Sequence, residues 1–280
     1  MKNTYKFLYI LAAATATTFM ITPAVADTSW TGNALDNDWN NPGNWTAGVP
    51  GVNNYNVFAD PQSNGSHPII GVGETANVGA WSGAWGVAPG GGTPVYPTLF
   101  GSEWGQILDI YGSLNVGWYT APVGNTSVIN MYAGGSYTAE GLALGENWWF
   151  NGAPGCTWNQ SGGTVNIGYF FWGGILNLSG GTFTINEALG VTADPTVVAD
   201  SNRMMNIAGG SLIIAGDATA MVQGWESRNI IEGNGLLGNI SIDTTSTPGF
   251  TVITAAPEPA SAALMGLGGL LLFLRRWWVS

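Results

Sequence analysis

The stretch LNLSGGTFTI, residues 176–185, holds a whole structural unit in ten letters. Leu176 and Leu178 alternate with Asn177; Ser179, Gly180 and Gly181 interrupt; alternation resumes at Phe183 and Ile185. A period of two marks a strand with one buried face. A glycine pair supplies backbone angles that side chains forbid. The unit reads strand, glycine turn, strand.

The unit recurs. WNQSGGTVNI at 158–167 and MNIAGGSLII at 205–214 follow the same template. INMYAGGSYTA at 129–139 carries one extra residue before its glycines, and LDIYGSLNV at 108–116 has Asp109 for Asn and a single glycine. NISID at 239–243 reads as a degenerate sixth copy. The residue after the turn is Ser113, Ser136, Thr164, Thr182 and Ser211, at steps of 23, 28, 18 and 29 residues. One such unit cannot bury its apolar face, whereas stacked copies can. Irregular steps suit coils that share a core and vary in their loops.

The expected fold is therefore all-β, a parallel β-helix (β-solenoid), with an antiparallel β-sandwich as the alternative. The pairs Leu114 and Val116, Tyr137 and Ala139, Val165 and Ile167, Phe183 and Ile185, and Leu212 and Ile214 are the expected core. Asn130, Asn159, Asn177 and Asn206 would then stand in register, where stacked amides form hydrogen-bonded ladders. No helical periodicity shows outside the two chain ends.

Those ends are different in kind. Lys2 and Lys6 precede an apolar stretch from Phe7 to about Met20, and Ala24-Val25-Ala26 gives the small-x-small pattern of a secretory cleavage site, with Asp27 following. Residues 1–26 read as a signal peptide. At the other end, Ala260 to Leu274 is 15 residues with only Ser261 polar. As a helix it would be about 22 Å long, short of a bilayer core of about 30 Å. Trp277, Trp278 and Val279 extend it, and Arg275 and Arg276 favour a cytoplasmic C-terminus.

Pro257-Glu258-Pro259, the apolar helix and the Arg275–Arg276 pair resemble, in order and position, the PEP-CTERM sorting signal of exported bacterial proteins. The resemblance implies recognition by a membrane-embedded exosortase-type enzyme after signal peptidase has acted. It further implies an inner-membrane-anchored precursor and release to the cell surface or extracellular matrix. Trp277-Trp278-Val279-Ser280 beyond the arginines departs from the family pattern. A second resemblance lies in SWTGNALDNDWNNPGNWTAGVPGVNNYNVFAD, residues 29–60, and in the SGGT repeats. Both are similar to exported Gly-rich proteins with autotransporter-type strand repeats. The domain reading is a signal peptide at 1–26, a Trp/Asn-rich cap at 27–60, the Gly-rich body at 61–256 and the sorting signal at 257–280. The cap is expected to close one open end of the stack.

Composition excludes more than it selects. Residues 27–256 carry two arginines, no lysine and sixteen carboxylates, a formal charge of −14. Nucleic acid is excluded as a partner, because phosphate binding rests on Lys and Arg. Cys156 is the only cysteine, so no intrachain disulfide forms. His67, the only histidine, sits before a proline in a Gly/Ser loop and reads as a turn residue. The carboxylates Asp109, Glu140, Glu146 and Glu187 could converge as a hydrolytic pair, yet nothing in their spacing selects one. No catalytic residue is assigned, and the chain is read as no enzyme. No cofactor or metal site is assigned; the one cation the residues would suit is calcium, at Asp36-Asn37-Asp38, but an Asx-rich turn is the favoured reading of those residues.

Aromatics are the remaining signal. Twelve of 14 tryptophans lie in the exported part, and GENWWFNG at 145–152 and GYFFWGG at 168–174 are dense. Trp148, Trp149 and Trp172 are the candidates for stacking on sugar rings. The functional expectation is a surface or matrix protein with a structural role in an exopolysaccharide or biofilm layer. The alternative is a polysaccharide-binding module, and a carbohydrate-active enzyme comes third.

Overall fold

The computed structural model describes residues 28–51, 56–58, 65–78, 98–100, 107–117, 119–121, 127–144, 156–187, 191–192 and 204–257. The signal-peptide residues Ala24, Ala26 and Asp27 lie outside them, as do Glu258, Pro259, Arg275 and Arg276. No helix among the described residues is long and apolar enough to cross a membrane.

The described chain is mostly β, and its strands pair in three parallel ladders. The first runs Ile69–Ile70, Ile107–Ile110, Val128–Met131, Thr157–Gln160, Ile175–Leu178, Met204–Ile207 and Ile231–Gly233. The second runs Thr75–Val78, Ser113–Val116, then the segments beginning at Ser136, Thr164, Thr182 and Ser211. A third, which the repeat did not reveal, joins Thr28–Ser29, Asn56–Phe58, Thr98–Phe100, Tyr119–Ala121, residues 141–144, residues 169–172 and Val191–Thr192. The chain visits first, second and third ladders in turn. Parallel pairing throughout these ladders overturns the antiparallel sandwich.

The expected core pairs all point inward. Leu114, Tyr137, Val165, Phe183 and Leu212 form one fully buried column, and their partners two residues on are also buried. Leu108, Ile129, Trp158, Leu176 and Met205 line the first ladder's inner side. Val57, Leu142 and Phe170 line the third. Edge contacts between rings, such as Tyr137 with Trp158 at 5.1 Å, lock neighbouring coils.

The glycine turns are corners between the first and second ladders. Gly134, Gly163 and Gly181 take φ of 86°, 72° and 74°, the left-handed region. At Gly163 a Cβ would also collide with the carbonyl oxygen of Gly135 in the preceding coil. Close stacking of corners thus demands glycine twice over. An additional coil, Ile69–Ile70 with Thr75–Val78, uses Gly71-Val72-Gly73-Glu74 as its corner and lacks the Asn template. Glu74 Oε2 accepts from Gly71 N at 2.7 Å and closes that turn.

Both ends are covered. Trp30, Trp39 and Trp45 are buried and meet edge to face at 5.1 and 4.8 Å. Trp45 Nε1 donates to Trp39 O at 2.7 Å, and Asp38 bridges in parallel to Ile69, so the cap continues the first ladder. At the far end the helix Thr219–Ser227 stands where a third-ladder strand would follow, burying Val222 and Trp225. Nine residues with two buried positions give too little periodicity to have been seen in sequence. NISID is not a sixth coil: Ile240–Asp243 pairs antiparallel with Phe250–Ala255, which itself pairs antiparallel with Ser211–Ala215. This hairpin ends the stack.

Candidate functional site

The outer side of the first ladder carries a continuous polar column. Asn130 Nδ2 donates to Asp109 Oδ1 at 2.7 Å, Asn159 Nδ2 to Asn130 Oδ1 at 3.0 Å, and Asn177 Nδ2 to Asn159 Oδ1 at 2.9 Å. Asn206 is next in register, but its Oδ1 is buried with no partner among the described residues. At the other end His67 Nε2 lies 3.1 Å from Asp109 Oδ2. His67, expected as a plain turn residue, thus ties its loop to the next coil. Beside this pair the rings of Tyr111 and Tyr132 stack in parallel at 4.0 Å. Burial first, then a hydrogen bond with Tyr111 and the charge of Asp109, push the Tyr132 phenol up to about 12. The cluster is a hydrogen-bonded tie between coils. Its members already satisfy one another.

The outer side of the second ladder has the same periodicity and a different state. One rank is Thr75, Ser113, Ser136, Thr164, Thr182 and Ser211; the other is Asn77, Asn115, Thr138, Asn166, Thr184 and Ile213. Near the cap, Asn115 Nδ2 donates to Asn77 Oδ1 at 3.1 Å and Ser136 Oγ to Ser113 Oγ at 2.8 Å. Further along, the side chains of Thr138, Thr164, Asn166, Thr182 and Thr184 make no hydrogen bond within the described chain. No charged side chain stands in either rank. Past the corner at Gly168, Tyr169 is 38% exposed.

The carboxylates that sequence offered fall in two places. Asp109 belongs to the first ladder, whereas Glu140 and Glu187 sit at the corner between second and third, on either side of Gly168. Glu146 lies outside the described residues. Asp36, the calcium candidate, accepts from Asn41 Nδ2 and Asn44 Nδ2, each at 2.6 Å, and from Asp38 N at 3.1 Å. Those hydrogen bonds, that from Asn41 first, hold its carboxyl below the usual range. Asp36 therefore works as the hub of an Asx turn. Among the described residues no group of three or more His, Cys, Asp or Glu is placed to hold a metal.

The glycan-stacking proposal needs correction at Trp172. Its ring is 3% exposed, meets Trp225 edge to face at 5.6 Å and donates Nε1 to Gly174 O at 2.8 Å. A buried ring cannot stack on a sugar. Trp148 and Trp149 lie outside the described residues. Gln160 was missed entirely. It occupies an inward position, 1% exposed, donating Nε2 to Thr182 O at 2.9 Å. The only signal was a polar letter where Met131, Leu178 and Ile207 stand in the other units.

No known family, curated protein or solved structure matches this chain.

Proposed function

We propose that this chain is an exported surface or matrix protein, non-catalytic, whose body is a three-faced β-solenoid acting as a rigid scaffold in an extracellular polysaccharide layer. One observation carries the reading. The three parallel ladders stay in register from Ile69 to Ile214 around one apolar core, so each coil is braced by its neighbours. Such a body offers shape and repeated surface rather than a reactive centre.

The sequence ends support export. In this reading signal peptidase removes 1–26, residues 257–280 anchor the precursor in the inner membrane, and an exosortase-type enzyme acts at Pro257-Glu258-Pro259. Any contact with an acidic polymer would need calcium or another divalent cation between like charges.

The test is to delete residues 257–280 and follow the protein by fractionation and immunodetection. Full-length protein should pass through a membrane-bound precursor and collect in the extracellular layer. The truncated form should go straight to the medium, leaving a less cohesive layer. Identical fractionation of both forms would sink the sorting reading.

A further inference from the structure

The two polar faces of the stack invite comparison. On the first, side-chain amides bond to each other from Asp109 to Asn177. On the second, Thr138, Thr164, Asn166, Thr182 and Thr184 present donors and acceptors outward with no partner in the described chain. These side chains are short, and the threonines are stiff at χ1, so little rotamer freedom is lost when they bind. Successive coils set them about 4.8 Å apart along the stack and about 6.6 Å apart across each strand. The result is a flat, pre-ordered grid of hydrogen-bonding groups.

Charge and polarity select the occupant. The grid holds no charged or large apolar side chain until Ile213 at its far end, so it suits neither a lipid surface nor an apolar protein face. At its border, Glu187 leans over Gly168: a Cβ on that glycine would lie 3.6 Å from Glu187 Cγ. Glu140 stands one coil before. These carboxylates, on a body of formal charge −14, turn away anionic polymers and accept hydrogen bonds from hydroxyls. Tyr169, exposed beyond the same corner, adds a ring able to stack on a pyranose.

We infer that the second-ladder surface from Thr138 to Thr184, bordered by Tyr169, Glu140 and Glu187, binds a neutral, hydroxyl-rich polysaccharide chain. This deepens the scaffold reading and rests on it for the polymer's presence. It places glycan contact on a threonine grid instead of on the tryptophans.

The experiment is affinity electrophoresis of the full-length chain in mild detergent, with EDTA present. Gels contain hydroxyethyl-cellulose, galactomannan or polygalacturonate. The chain should be retarded by at least one neutral polymer and not by polygalacturonate. The triple variant Thr164→Val, Thr182→Val, Thr184→Val keeps β-branched shape and removes three hydroxyls; it should lose at least tenfold in affinity with an unchanged melting temperature. Tyr169→Ala should lose severalfold, and the remote Leu237→Ser nothing. Retardation by no neutral polymer, or undiminished retardation of the triple variant, overturns the inference. So does a concentration-dependent dimer that the triple variant abolishes, because the face would then belong to a second copy. None of these outcomes touches the scaffold reading, which stands or falls on fractionation.

Discussion

Asn177 Nδ2 donates to Asn159 Oδ1 at 2.9 Å across 18 residues of sequence. The same Asn159 donates onward to Asn130, so one amide serves two coils. Removing it breaks two hydrogen bonds, each worth about 1 kcal/mol net. Asn159→Asp should cost more than Asn159→Ala, because it sets a carboxylate oxygen against the Asn130 carbonyl oxygen. Asn166 has no such partner among the described residues, so Asn166→Asp should change stability by less than about 0.5 kcal/mol. Thermal unfolding of the three variants checks the ranking.

Phe183 is fully buried, 5.3 Å from the Phe170 ring and 6.0 Å from Trp158. Phe183→Ala should cost about 3–5 kcal/mol through lost transfer energy and a cavity. Denaturant titration reads this directly; a loss under about 1 kcal/mol would mean the three ladders do not share that core.

Gly134 and Gly163 both take positive φ, but only Gly163 has a neighbouring carbonyl where a Cβ would go; nothing lies within 4 Å of one on Gly134. Gly134→Ala should cost about 1 kcal/mol from backbone conformation alone. Gly163→Ala should cost clearly more, since the coils must separate. Equal melting temperatures would contradict the tight stacking of corners.

The cap should be acid-sensitive. Asp36 has its carboxyl lowered by hydrogen bonds from Asn41 and Asn44, so its contribution is present above the unfolded carboxylate value of about 3.9. It is lost as pH falls through the lower, folded value. Fluorescence of Trp39 and Trp45 should report loosening below about pH 4. Asp36→Asn should remove that part of the pH dependence.

Alkali should act at Tyr132. Its phenol is raised to about 12 in the folded chain, against about 10 when unfolded. The stabilisation is therefore complete below pH 10 and lost as pH rises towards 12. Tyr132→Phe should flatten stability over that window, measured by isothermal denaturation at successive pH values. An unchanged profile would mean the Tyr111–Tyr132–Asp109 cluster does not govern it.

The repeat was legible because it is local. Leu176 to Ile185 contains its own alternation and its own glycine corner, and the physics of a pleated strand operates within those ten residues. The buried pairs from Leu114 to Ile214 and the amide column through Asn159 followed from that pattern. The third ladder was not legible. Its strands are short, lack the Asn and Gly-Gly template, and take meaning only from pairing with the neighbouring coil, as Leu142 does with Phe170. Trp172 illustrates the same limit. In sequence it is one more tryptophan beside glycine, and only the return of the chain to Trp225, 53 positions later, covers its ring. Gln160 looks like a surface residue until the corner carbonyls turn inward to meet it. The sequence by itself determined strand, corner and inward face, because those depend on neighbours along the chain. Which coils touch, which rings are covered and which hydroxyls stay open were decided by tertiary structure, because they depend on residues 18 to 53 positions away.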